Sequence, residues 1–318
     1  MTTTTDSPFH AGERALQARV GVAERMARAG SRAIRDFMPD QHRELFGKLP
    51  FLVVGSLDAE GGPWASILFG RPGFVATPDA RTMAIAALPV PGDPLAANLA
   101  VGAPVGLLGI ELETRRRNRM NGRVIALGDG GFAVRVEQSF GNCPKYIQLR
   151  AHRFVDEPGA PDAPLLVRPE RAILSAQANA LVRRADTFFI ASAASGEGVD
   201  VSHRGGKPSF VRVEARDGRT VLTAPDFSGN LYFNTLGNIA VYPRAGLLFA
   251  NFDTGDVLAL TGGAEIVFDG PELTGFAGAE RLLRVTVEAG VWLAQGLPLR
   301  WSAPIQAPQV SATGAWGA

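Results

Sequence analysis

The chain repeats itself, and that repeat restricts its fold more than any single motif does. NLAVGAPVGLLG from Asn98 matches NIAVYPRAGLLF from Asn238 without a gap. FLVVGSLDAEGG from Phe51 resembles FFIASAASGEG from Phe188, and Gly70-Arg71-Pro72-Gly73-Phe74-Val75 lines up with Gly206-Lys207-Pro208-Ser209-Phe210-Val211. Asp79-Ala80-Arg81-Thr82 then meets Asp217-Gly218-Arg219-Thr220, and Asn121-Gly122 meets Thr261-Gly262. Each copy follows a helical segment, QHRELFGKL in the first and RAILSAQANALVRR in the second. Matches that keep the same order in both halves mark a duplicated unit rather than two unrelated modules.

Within each copy, short apolar runs rich in β-branched and aromatic residues alternate with Gly, Asp and Pro turns, and helices are few. That pattern predicts a small closed or split β-barrel. A parallel α/β sheet needs a helix after nearly every strand, and no GxGxxG stretch follows a strand and opens a helix. The expected fold class is therefore mainly β with flanking helices (α+β). Four segments follow: an N-terminal extension and helix over 1–37, a first barrel over 38–155, a Pro-rich linker over 156–169 and a second barrel over 170–318. Residues 1–10 read as polar and unstructured. Gly12 to Phe37 has helical spacing, and Asp40 is placed to cap a second short helix.

With 318 residues, 46% hydrophobic and 20% charged, the chain has enough apolar material for two cores. Its formal net charge of +1 speaks against a nucleic-acid partner. No apolar run reaches the ~20 residues of a membrane span, and MTTTTDSPFH lacks the layout of a signal peptide. The single cysteine, Cys143, cannot form an internal disulfide, which fits a cytoplasmic protein. The histidines show no metal-ligand spacing, so no metal is expected.

Several pieces carry a family resemblance. In the second copy these are VDVSHRGGKPSFVRV, DGRTVL, GNLYFNTLGNIAVYPRAGLLF and LALTGGAEI. In the first they are WASILFGRPGFV, NLAVGAPVGLLGIELETRRRNRMNGRV and SFGNCPKYIQ. Both copies resemble the pyridoxamine 5′-phosphate oxidase-like split β-barrel, and the chain is similar to a bacterial tandem subgroup of that family. The resemblance implies FMN as cofactor, held in the groove between two barrels that usually belong to two chains. A tandem copy implies an internal pseudo-dimer of two FMN-binding split β-barrels, with pairing of whole chains left open.

The copies are unequally equipped. Ser202, His203, Arg204 and Lys207 stand where the first copy has Ser66, Ile67, Leu68 and Arg71; Asn234, Thr235 and Asn238 face Pro94, Leu95 and Asn98. Conversely, Arg116-Arg117-Asn118-Arg119-Met120-Asn121 meets Asp256-Val257-Leu258-Ala259-Leu260-Thr261. The economical reading is one complete site, built from the polar insert of copy two and the basic strand of copy one. A phosphate needs N–H donors, amides or hydroxyls and a cation, which Asn230, Asn234 and Thr235 with Ser202, Gly205, Asn238, Arg204 or Lys207 supply. A flavin ring needs donors at its N1–C2=O edge, where negative charge collects on reduction; Arg117, Asn118 and Arg119 are the candidates, with His203 as a further ring contact. One departure stands out: the oxidase pattern has Ser-Arg-Lys where this chain reads Phe233-Asn234-Thr235, which weakens pyridoxamine phosphate as substrate.

Other features admit plainer readings. TRRRNR is either a solvated face or an anion site. Cys143 reads as core-edge packing, Lys145, Tyr146 and Gln148 as either packing or pocket border, and Arg300-Trp301 as the end of a strand. The resulting expectation is an FMN-dependent oxidoreductase acting on a small molecule or nicotinamide donor. The alternatives are a flavin carrier or electron-relay module without its own organic substrate, and a structural tandem barrel with a decayed site.

Overall fold

The computed structural model describes residues 7–155 and 165–316. Most of the expected linker, residues 156–164, and residues 1–6 of the expected N-terminal tail lie outside the described residues.

The N-terminal segment forms two helices, α1 (Ala11–Arg19) and α2 (Ala23–Ala33), rather than one run, because the chain turns at Gly21 with φ +71°. His10, expected to be unstructured, caps α1: its Nδ1 accepts from Gly12 N–H. Helix α3 (Asp40–Lys48) starts with Asp40 as its first residue and Pro39 at the cap, and it buries Leu45 and Phe46 beneath the first barrel.

Strand β1 (Phe51–Leu57) turns back into β2 (Pro63–Phe69) through a loop held by Asp58. The Asp58 carboxylate accepts from Gly62 N–H at 2.6 Å and from Trp64 Nε1 at 2.8 Å. There follow β3 (Val75–Asp79), β4 (Thr82–Ile85), the one-turn helix α4 (Leu95–Asn98), β5 (Pro104–Glu111), β6 (Arg116–Gly128) and β7 (Gly131–Gly141). The sheet order is β2-β1-β5-β6-β7-β4-β3. It curls on itself, since Leu68 near one edge and Val75 at the other join the same core as Val54, Met120 and Val134.

After β8 (His152–Phe154), β9 (Val167–Arg171) and α5 (Ala176–Arg184), the pattern recurs. Strands β10 (Thr187–Ala194), β11 (Gly198–Gly205), β12 (Arg212–Arg216) and β13 (Arg219–Phe227) precede α6 (Asn234–Val241). Strands β14 (Arg244–Ala250), β15 (Val257–Val267) and β16 (Ala279–Leu293) complete the sheet, and β17 (Leu299–Trp301) pairs with β8. The order β11-β10-β14-β15-β16-β13-β12 repeats the first sheet strand for strand, with β9 added along β16. Both copies bulge at the same place, between Asn121 and Gly122 and between Thr261 and Gly262. In both, the helix is tied to the first strand by an amide–hydroxyl bond: Asn98 to Ser56 at 2.9 Å and Asn238 to Ser192 at 3.1 Å. One detail of the sequence match shifts. Val53 pairs with Leu108 as Phe189 pairs with Leu248, so Phe51 corresponds to Thr187 and not to Phe188. Register follows the neighbouring strand, and the look-alike Phe is one residue out.

The two barrels face each other through β1, β2, β5 and β10, β11, β14, which explains why β1, β2, β5, β10 and β14 are largely apolar on both faces. Leu52 and Val54 point into the first barrel's core, while Phe51 and Val53 join Ile67, Leu108, Phe189, Val201 and Leu248 in a third cluster between the barrels. The contact is matched across an internal pseudo-two-fold. A Cβ on Gly106 would lie 2.5 Å from the Val199 carbonyl, and one on Gly246 would lie 2.6 Å from the Trp64 Cα. The chain is thus a tandem of split β-barrels forming an internal pseudo-dimer. Among the described residues, no helix is long and apolar enough to cross a membrane.

Candidate functional site

Pairing of β5 with β6 puts Arg117, Arg119 and Asn121 opposite Ile110, Leu108 and Gly106. Strand alternation sends these three toward the second barrel, while Met120 enters the first core. The β10–β11 pairing aligns Ser202 with Ile190 just as Val54 aligns with Ser66, confirming the equivalence of Ser202 to Ser66 and of His203 to Ile67. Between these faces lies a cavity of about 90 Å³ lined by Arg117, Arg119, Asn142 and Cys143 from the first barrel. The second barrel contributes Ser202, His203, Arg204, Asp226, Phe227, Asn230, Leu231, Phe233, Asn234, Thr235 and Arg281. An adjoining cavity of about 60 Å³ shares Arg117, Cys143, His203, Arg204 and Phe227, and adds Lys145, Tyr146 and Gly205.

The polar groups divide into two ends. At the cradle end, the start of α6 is already tied together. Ser202 Oγ and Thr235 Oγ1 are 2.8 Å apart, and Arg119 donates to Asn234 Oδ1 at 3.1 Å and to Ser202 Oγ. Arg119 also lies 3.6 Å from the Asp200 carboxylate, to which Asn121 Nδ2 donates at 2.7 Å. At the other end, Arg117 Nε donates to the Cys143 carbonyl at 2.8 Å and its Nη1 to His203 Nδ1 at 3.1 Å. A guanidinium only donates, so Nδ1 is the acceptor and His203 carries its proton on Nε2. Burial, with Arg117 and Arg204 beside it, holds His203 well below the ordinary histidine value, so the ring is neutral. Arg117 has no carboxylate partner among the described residues. Burial first, then Arg119, pushes it down to about 9.

Four nitrogens of residues lining the cavity are enclosed without any partner: Arg119 Nε, Asn142 Nδ2, His203 Nε2 and Arg204 Nε. All four are donors. Across the cavity Asp226 is already taken, by Arg204 at 2.6 Å and Arg281 at 3.0 Å. The site therefore offers donors and positive charge in excess of the acceptors that answer them. A bound group that restores the balance is rich in acceptor oxygens and negatively charged.

Of the residues picked out in the sequence, Arg117, Arg119, Ser202, His203, Arg204, Asn230, Asn234 and Thr235 line this cavity, and Gly205 lines the adjoining one. Three lie elsewhere. Asn118 alternates away from the groove and is buried near Gly141; Lys207 donates to the Thr313 carbonyl; Asn238 is engaged by Ser192, Asp200 and His10. Of the TRRRNR run, Arg117 and Arg119 turn into the groove while Arg116 stays exposed. Lys145 and Tyr146 border the adjoining cavity, whereas Gln148 bonds the Gly206 carbonyl and the Ala307 N–H. Trp301 ends β17 and packs edge-on to Phe51 and Phe252.

The sequence reading missed Asn142, Asp226 and Arg281, and it took Cys143 for packing. The signal for Asp226 and Arg281 was present: charged residues at inward positions of β13 and β16. The equivalent groove on the other side of the pseudo-two-fold is closed. Ile67, Val257 and Ala259 pack there with Leu293 and Leu299, while Ser66 is taken by Asp93 at 2.5 Å.

No family model and no curated protein matches the chain. Solved structures do resemble it. A histidine-to-alanine variant of HupZ from Group A Streptococcus has 12% identity and a TM-score of 0.30, over 37% of this chain and 98% of that one. HutZ, the haem storage protein of Vibrio cholerae, has 12% identity and a TM-score of 0.27 over 38% of this chain and 95% of its own. A pyridoxamine 5′-phosphate oxidase-related, FMN-binding protein from Nostoc punctiforme PCC 73102 has 14% identity and a TM-score of 0.27, over 41% and 94%. Each of these matches spans about the length of one barrel, and the chain's own strand order shows that it holds two copies of one unit.

Proposed function

We propose that the chain is a cytoplasmic flavoprotein that binds FMN in the groove between its barrels and works as an FMN-dependent oxidoreductase on a small molecule or nicotinamide donor. The observation that carries this reading is the surplus of buried donors around one cavity formed by both barrels, with Arg117 enclosed and lacking a carboxylate. The sequence resemblance supplies the identity of the ligand. Asn234, Thr235, Ser202 and Arg204 would hold the phosphate; Arg117 and the Nε2–H of His203 would face the acceptor edge of the ring. FMN, when bound, supplies reversible uptake of two electrons. The protein's part is to orient it and to keep positive charge where negative charge builds up on reduction. A neutral His203 suits that role as a donor that adds no further charge beside two arginines.

Absorbance and mass of the ligand released from natively purified protein test the reading directly, together with FMN titration of the ligand-free chain. Failure to take up flavin even at high concentration refutes it. Turnover of reduced nicotinamide with oxygen or a quinone marks an enzyme; flavin binding without turnover marks a carrier.

A further inference from the structure

The cradle at the start of α6 is covered by the chain's own N-terminal helix. Glu13 of α1 is only 4% exposed, and its Oε1 accepts from Asn234 Nδ2 at 2.5 Å while its Oε2 accepts from His10 N–H at 2.9 Å. Two glycines permit this approach. A Cβ on Gly237 of α6 would lie 2.7 Å from the Glu13 backbone nitrogen, and a Cβ on Gly12 would collide with the Gly237 carbonyl. Leu16 seals the contact against Phe233 and Leu236, and Gln17 donates to the Tyr232 carbonyl.

This cover explains two features of the site. The cavity, at about 90 Å³, is well below the ~300–1,000 Å³ usual for small-molecule pockets, so a ligand of flavin size needs part of the wall to move. The wall beneath α1 is also strained: Leu231 and Phe233, both lining the cavity, hold positive φ values of 64° and 63°. Such conformations are costly for bulky residues and persist only where the surroundings impose them.

We infer that Glu13 is a resident carboxyl group in the anion cradle, and that a phosphate group binds there only by displacing Glu13 and lifting α1 from α6. The side chain that caps Asn234 is thus a specificity determinant. It excludes weak ligands from the cradle and yields to a multiply charged phosphate that Arg119, Asn234 and Thr235 hold together. Burial, and then Asp200, push Glu13 up to about 8, so the docked group is neutral at pH 7 and becomes a carboxylate on release. The inference rests on the flavin reading only for which molecule brings the phosphate.

The test uses inorganic phosphate, FMN and riboflavin on the full chain and on Glu13→Ala, with amide exchange of residues 11–19 as a second readout. The expected result is phosphate and FMN binding about tenfold tighter in Glu13→Ala, a smaller gain for riboflavin, and faster exchange of the α1 amides in the parent protein at saturating phosphate. Equal phosphate affinity in both proteins, no phosphate binding by either, or α1 amides that stay protected with phosphate bound overturns it. Leu16→Ala, which loosens α1 while leaving the polar groups of the cradle in place, is expected to tighten phosphate binding as well; weaker binding there also overturns the inference. Riboflavin binding reports on the flavin reading separately, because it has no phosphate to bring.

Discussion

Arg117→Met is expected to make the ligand-free protein more stable while weakening its hold on flavin. The fall of the guanidinium from 12.5 to about 9 corresponds to on the order of 5 kcal/mol of disfavoured charge, none of it offset by a carboxylate. Against that stand the bonds to the Cys143 carbonyl and His203 Nδ1, worth about 1 kcal/mol each, and a further ~1 kcal/mol for leaving those acceptors unanswered. Met keeps most of the apolar stem. The balance is a gain of about 2 kcal/mol, within the range found when buried ions are replaced by hydrophobic side chains. Denaturant unfolding of the flavin-free proteins measures it as a higher midpoint at unchanged slope. FMN and riboflavin should both bind about ten- to a hundredfold more weakly, the loss of one charge-assisted bond. A variant destabilised by 1 kcal/mol or more, or one that binds both flavins as tightly as the parent, would refute the idea that this arginine is held unpaired for a ligand.

Because Glu13 titrates near 8 when docked and near 4.5 when free, docked α1 binds the extra proton between those values. FMN affinity should therefore rise with pH across that window and level off outside it, by up to ~5 kcal/mol in total, and Glu13→Gln should flatten the profile; fluorescence titration at several pH values decides. Saturation should occur at one FMN per chain, since the second groove is filled by Ile67, Val257 and Leu299; a stoichiometry of two by calorimetry contradicts that. Gly106→Val should cost about 1–3 kcal/mol or more in unfolding experiments, because the clash is with the Val199 carbonyl of a paired strand and not with a side chain that can swing away.

The duplicated fold was legible because β-structure writes itself locally, as turn residues between apolar runs, and it did so twice in one order. That both barrels line the cavity was legible too, since Arg117 and Arg119 have Val257 and Ala259 as counterparts and nothing in a solvated strand demands that contrast. Strand alternation could have removed Asn118 from the candidates, as it lies between two arginines that face the other way. Lys207 could not be placed from sequence: its partner, the Thr313 carbonyl, lies in the C-terminal segment. Glu13 was hidden for a similar reason. On a nine-residue helix it reads as an ordinary acidic first-turn residue, and only the crossing of Gly12 over Gly237 brings it to the cradle.

Joining the two barrels in one chain has a consequence for how such a site can change. In a symmetric pair of separate chains every substitution appears twice, so an enclosed, unpaired arginine burdens both grooves and an apolar filling closes both. Here the two faces vary independently. One groove has become a solid seam of Ile67, Val257 and Trp301, while the other concentrates Arg117, Arg119, Arg204 and Arg281. The seam holds the halves in fixed register, and the destabilising charge is borne once, against the cohesion of two cores. Division of labour between cohesion and chemistry, unavailable to identical subunits, is what the tandem arrangement makes possible.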